Sequence, residues 1–226
     1  MKLSDKGLMA LISHEGIVQS RYKDSVGIWT IGVGHTAAAG GIDPAKFTGT
    51  LTMREVFDML RVDVAKYEAA VSKAVKVTLS QHQFDALVSF HYNTGAIGKA
   101  SLVKRLNAGD HAGAAKGFDA WVKPAEIKPR RMAEKALFLT GNYPPPFATL
   151  YPATPQGKVL WGSGKRVDLA KALFLDASSA IKEMDDLVYQ RPVEVKDKPV
   201  SVPHETPKSN WLSALIAAIA RMLGRK

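Results

Sequence analysis

An α+β fold is expected for this chain: a small strand-bearing lobe, then an all-helical lobe. Three observations carry that expectation. Apolar residues recur at helical spacing over residues 5–14, the period switches to two between Ser20 and His35, and helical patterning returns from Thr52 to about residue 139.

The first helix rests on Leu8, Leu11 and Ile12, with Ser4 as N-cap and Gly16 as the stop after Glu15. From Ser20 to His35 the residues Ile28, Thr30, Gly32 and Gly34 alternate with Trp29, Ile31, Val33 and His35, which reads as strand. Asp24-Ser25 and Gly27 supply the turn of a small hairpin. Residues 37–51 read as loop. Thr52-Met-Arg-Glu55 has the form of a capping box and opens a long helix to about Lys73. Ser80-Gln-His-Gln83 has a similar form, and the helix behind it carries Phe84, Leu87, Val88, His91 and Tyr92 on one side. Shorter helices are expected near 101–107, 110–121 and 129–139, punctuated by Asn107-Ala-Gly109, Pro124 and Gly141.

Residues 1–143 thus form one unit. An extension, 144–189, follows the break at Pro144-Pro-Pro146 and reads as a loose hairpin and then a helix from Leu169 to Tyr189. Residues 190–209 hold four prolines among charges, a linker composition. Residues 210–226 read as an amphipathic helix with Leu212, Leu215, Ile216, Ile219 and Leu223 on one face and Arg221, Arg225 and Lys226 near its end.

Bulk composition narrows the function classes. There is no cysteine, so disulfides, thiol nucleophiles and Cys-ligated metals are excluded, which fits accumulation in a reducing cytoplasm. Neither a secretory signal nor an apolar run of 18 residues is visible. The formal net charge of +10 favours polyanions such as nucleic acid, anionic lipid headgroups or the acidic polymers of a bacterial envelope. No nucleic-acid motif and no basic stripe with interleaved aromatics accompanies it. No histidine shows defensible metal-ligand spacing.

The chemistry concentrates in HEGIVQSRYKDSVGIWTIGVGH, from His14 to His35. Asp24 stands nine residues after Glu15, and Thr30 six after Asp24. Two carboxylates and a hydroxyl around a short β segment suit cleavage of a glycosidic bond, which needs one carboxyl to protonate the leaving oxygen and a second to handle water or the developing cation. Taken singly, Asp24 is equally a turn former and Thr30 an ordinary strand residue. Gly32 and Gly34 weaken a strand, so they point to close approach of a sugar chain or to a bulge, the former being preferred.

The pattern Glu-x8-Asp-x5-Thr, followed at once by Ile-Gly-Val-Gly-His, resembles the phage-type lysozymes, the endolysin muramidases of glycoside hydrolase family 24. Further pieces match in order: Gly7 to Gly16, Gln83 to Phe90, Tyr92-Asn-Thr-Gly95, Ser101 to Gly109, Trp121, and Arg130-Arg131 through Gly141. The resemblance implies a lysozyme-like two-lobed fold with a C-terminal extension. It makes Glu15 the general acid, Asp24 the second carboxylate and Thr30 the holder of the attacking water, with inversion of configuration. It sets Arg130 against Glu15 and pairs His35 with Asp63 between the lobes. Gly32, Gly34, Thr36, Tyr92, Asn93 and Ser101 become substrate contacts. Two influences then oppose each other at Glu15: the negative end of its helix works against a charge there, and a neighbouring arginine favours it. One departure concerns VKPAEIKP between Trp121 and Arg130, where many relatives carry a Gly-rich connection.

The expected partner is peptidoglycan, with no cofactor, no metal and no nucleic acid, and a monomeric chain. The resemblance implies an enzyme held in the bacterial cytoplasm until a membrane pore releases it to the wall. Residues 210–226 suggest contact with an anionic membrane or lipopolysaccharide, or else docking on the body or on another copy. A lytic transglycosylase, and a non-catalytic membrane-active or wall-binding protein on a lysozyme fold, are the alternatives.

Overall fold

The computed structural model describes residues 1–174. Helix α1 (Asp5–Glu15) is capped by Ser4, whose side chain accepts from the Gly7 amide, and it ends at Gly16 with φ 76°. Its apolar side, Leu8, Leu11 and Ile12, is fully buried. Each such side chain contributes about 1.5–3 kcal/mol over an exposed one.

Three short strands follow: β1 (Val18–Lys23), β2 (Trp29–Gly32) and β3 (His35–Thr36). They form an antiparallel sheet in that order. The continuous strand expected through His35 is broken. Gly32 and Gly34 adopt φ values of 66° and 80°, and the chain reverses there so that β3 pairs back on β2, Ile31 opposite His35. The two-residue alternation runs on through the reversal, which is why it hides the turn. A backbone requirement therefore accounts for these two glycines. A Cβ on Gly32 would also sit 2.5 Å from the Met59 methyl.

Helix α2 (Met53–Ala74) and helix α3 (Gln81–Thr94) each begin with a complete capping box, Thr52/Glu55 and Ser80/Gln83. Helices α4 (Ser101–Asn107), α5 (His111–Gly117) and α6 (Lys128–Thr140) complete the helical lobe, with a 3-10 turn at Phe118–Trp121. Phe90, Phe118 and Trp121 meet edge to face in its core.

Beyond residue 143, β4 (Phe147–Leu150) and β5 (Lys165–Asp168) form an antiparallel pair, and α7 (Leu169–Phe174) begins. This segment shares the main core: Ala148, Val167, Leu169 and Ala172 are buried in it. The parallel bridge between Ile17 and Leu150 ties it to the chain just after α1. The expected helix beyond residue 174, the linker at 190–209 and the helix at 210–226 lie outside the described residues.

Candidate active site

A cleft of about 360 Å³ runs between the small sheet and α2 and α3. It brings together Glu15, Asp24, Thr30, Gly32, Gly34, Thr36, Asp63 and Tyr92 of the residues expected from sequence. Arg130 and His35 stand behind that lining. Asn93 and Ser101 do not reach it. Asn93 is buried and accepts from Arg131 Nη2 through its Oδ1, and Ser101 opens α4 on an exposed position.

Glu15 is the last residue of α1. Arg130 Nη1 donates to its Oε1 at 2.5 Å, and the arginine side chain is 4% exposed against 14% for the glutamate. Arg130 also donates through Nε to Glu134 Oε1 at 2.9 Å and through Nη2 to the Ser89 carbonyl at 3.2 Å. Burial works against the guanidinium charge, but Glu15 and Glu134 more than offset it and raise the arginine above its ordinary value. Arg131 is directed elsewhere. It donates to Glu134 and Asn93 and lies over the Phe90 ring, and burial, the largest influence, lowers its value. Of the two adjacent arginines, Arg130 is the one at the acid.

Asp24 sits in a turn between β1 and β2. Its Oδ1 accepts from the amides of Val26 at 3.0 Å and Ile28 at 2.8 Å. Two amides on one oxygen fix the direction of the side chain. Thr30 is buried on β2, and its hydroxyl donates to the Ile28 carbonyl at 3.1 Å. With its own hydrogen committed, the Thr30 oxygen is left to accept one from water.

His35 and Asp63 are both buried, with Nδ1 2.9 Å from Asp63 Oδ2 and Nε2 2.8 Å from the Ile42 carbonyl. Both ring nitrogens face oxygen partners. The pair joins β3 to α2 and so fixes the sheet against the long helix.

Several functional neighbours were not apparent in the sequence. Tyr22 and Tyr67 line the cleft, and burial is the main cause that raises both phenols, with further contributions from Asp24 and Glu15 at Tyr22 and from Glu15 and Asp63 at Tyr67. They remain neutral donors in a site of carboxylates. Tyr92 donates to the Val33 carbonyl at 2.7 Å and pins the β2–β3 reversal to α3. Glu134, the hub of both arginines, is not among the residues expected from sequence; its position four residues after Arg130 is the signal that could have found it. Tyr151 comes from the segment beyond residue 143.

A family model described as phage lysozyme matches residues 12–134, which include Glu15, Asp24, Thr30 and Arg130. The chain belongs to the phage lysozyme family. The endolysin of Salmonella phage P22 is 38% identical over 146 residues, covering 62% of this chain and 99% of the relative. That of Acyrthosiphon pisum secondary endosymbiont phage 1 is 37% identical over 150 residues, covering 61% and 98%. Among solved structures, the endolysin from Escherichia coli O157:H7 phage FAHEc1 is 38% identical with a TM-score of 0.57, covering 64% of this chain and 97% of that one. Membership in this family of lysozymes makes the chain a glycoside hydrolase directed at peptidoglycan.

Proposed function

We propose that the protein is an endolysin that hydrolyses the β-1,4 bond between N-acetylmuramic acid and N-acetylglucosamine and thereby lyses the host cell. The observation that carries this reading is the meeting in one cleft of a helix-terminal glutamate with an amide-bound aspartate and a threonine oxygen able to accept from water. Glu15 gives its proton to the glycosidic oxygen as the bond to the anomeric carbon breaks. A water held by the Thr30 oxygen and Asp24 attacks that carbon from the opposite side and passes its proton to Asp24. The product is a new reducing end of inverted configuration. Arg130 holds Glu15 in place, and hydrogen-bonds to Glu15 on one side and Glu134 on the other.

The test is reducing-end analysis of digested peptidoglycan together with the anomeric configuration of the first product. Hydrolysis gives reducing ends; a lytic transglycosylase would leave anhydro ends instead. Glu15→Gln is expected to lower kcat by about 10²–10⁴-fold while the protein stays folded. Lysis undiminished in Glu15→Gln would show that hydrolysis is not the mechanism.

We also read residues 210–226 as a surface-seeking helix for anionic membrane or lipopolysaccharide, on the strength of its apolar face and of seven Lys/Arg against three Asp/Glu between Arg191 and Lys226. Unchanged liposome binding after deletion of residues 208–226 would refute that reading. Among the described residues no helix is long and apolar enough to cross a membrane. Storage of the enzyme in the cytoplasm until a pore releases it is part of the same proposal.

A further inference from the structure

The family match ends at residue 134, yet one side of the cleft is built from beyond it. We propose that Tyr151 is a saccharide-contacting residue, and that the chain between β4 and β5 holds its ring as an aromatic wall beside Glu15. The inference rests on the glycosidase reading of that cleft and adds a substrate contact to it.

The backbone comes first. Ile17 donates to the Thr149 carbonyl at 2.9 Å, and Tyr151 donates to the Ile17 carbonyl at 2.8 Å. Strand β4 is therefore hydrogen-bonded to the residue two beyond the acid, and Tyr151 follows at its end. The ring is then wedged. A Cβ on Gly16 would stand 3.1 Å from one ring edge, and a Cβ on Gly164 2.7 Å from the other. Trp161 meets it edge to face, with centroids 4.9 Å apart. Below it lies a small apolar cluster of Val18, Tyr22 and Val159, distinct from the main core. The connection is fixed at its far end as well, where the Lys23 amide donates to the Gly157 carbonyl at 2.8 Å.

A ring so backed has lost its freedom before any ligand arrives. It is partly exposed, it lines the cleft with Glu15, Gly16 and Tyr22, and its hydroxyl makes no hydrogen bond among the described residues. An apolar face with a free polar tip matches a pyranose, whose axial hydrogens present an apolar face and whose hydroxyls and N-acetyl group need partners. The ligand class is an N-acetylhexosamine unit beside the scissile bond.

The experiment compares Tyr151→Leu and Tyr151→Phe in the full chain. Leucine keeps apolar bulk between Gly16 and Gly164 and removes the aromatic face. Tyr151→Leu is expected to raise KM on soluble peptidoglycan fragments roughly tenfold with little change in kcat, and Tyr151→Phe, which keeps the wedged ring, to restore most of it. Wild-type KM in a folded Tyr151→Leu overturns the proposal. A second readout is independent of turnover: ring resonances of labelled Tyr151 in the wild-type protein, titrated with chitotetraose. They are expected to shift on binding, and their failure to move while other cleft residues respond, or a titration in which nothing responds, also overturns it. Absence of new reducing ends with wild-type enzyme would sink the glycosidase reading instead, so the two failures are distinguishable.

Discussion

Glu15 stands beside a set of buried charges. Arg130 links it to Glu134, and Arg131 serves the same glutamate from the other side. His14, next to the acid, feels this cluster. Burial first, then Arg130 and Arg131, bring its imidazole down to about 3. The folded protein thus refuses a proton that the unfolded chain accepts near pH 6.5. Stability contributed by neutral His14 is present above that value and is lost as pH falls from 6.5 towards 3. Thermal midpoints between pH 7 and 4 are expected to fall less steeply in His14→Gln than in the wild type. At the other buried pair, His35→Ala leaves Asp63 without its partner, and denaturant unfolding is expected to show a loss of about 3–5 kcal/mol. That Glu15, Asp24 and Thr30 belong together was legible because they lie within sixteen consecutive residues, and they meet in one cleft. Glu134 and Asn93 were not, because a polar residue on a helix shows its buried partners only once the helices are packed.

Among the elements, helix starts were read well. Thr52, Ser80 and Ser4 cap where their side chains said they would, since a cap is a local hydrogen bond that spans three or four residues. The strand region was read less well. Residues 28–35 keep their alternation across the reversal at Gly32 and Gly34, and only the glycines themselves mark it. Gly32→Ala puts a Cβ at a positive φ and against Met59, and is expected to destabilise by about 1–3 kcal/mol in thermal unfolding. Because Tyr92 is bonded to the Val33 carbonyl inside that reversal, the same variant should also lower kcat/KM.

The molecule as a whole does not stop where the family match does. The extension 144–189 reads as separate from the helical lobe in sequence because prolines and glycines break its early pattern, and short strands with distant partners give weak local signals. In three dimensions Val167 and Leu169 are buried with the helices. A chain ending at residue 143 is expected to lose on the order of 3–6 kcal/mol relative to one ending at residue 174, measured by denaturant unfolding. The extension is thus both a support for the core and the source of one side of the cleft.

The bond between Glu15 and Arg130 closes a separation of 115 residues. During synthesis Glu15 leaves the ribosome long before its guanidinium partner, and the strand bonded to Ile17 follows later still. A nascent or prematurely terminated chain therefore carries Glu15 without the guanidinium that holds it. The groove is complete only late in translation, when Tyr151 has emerged.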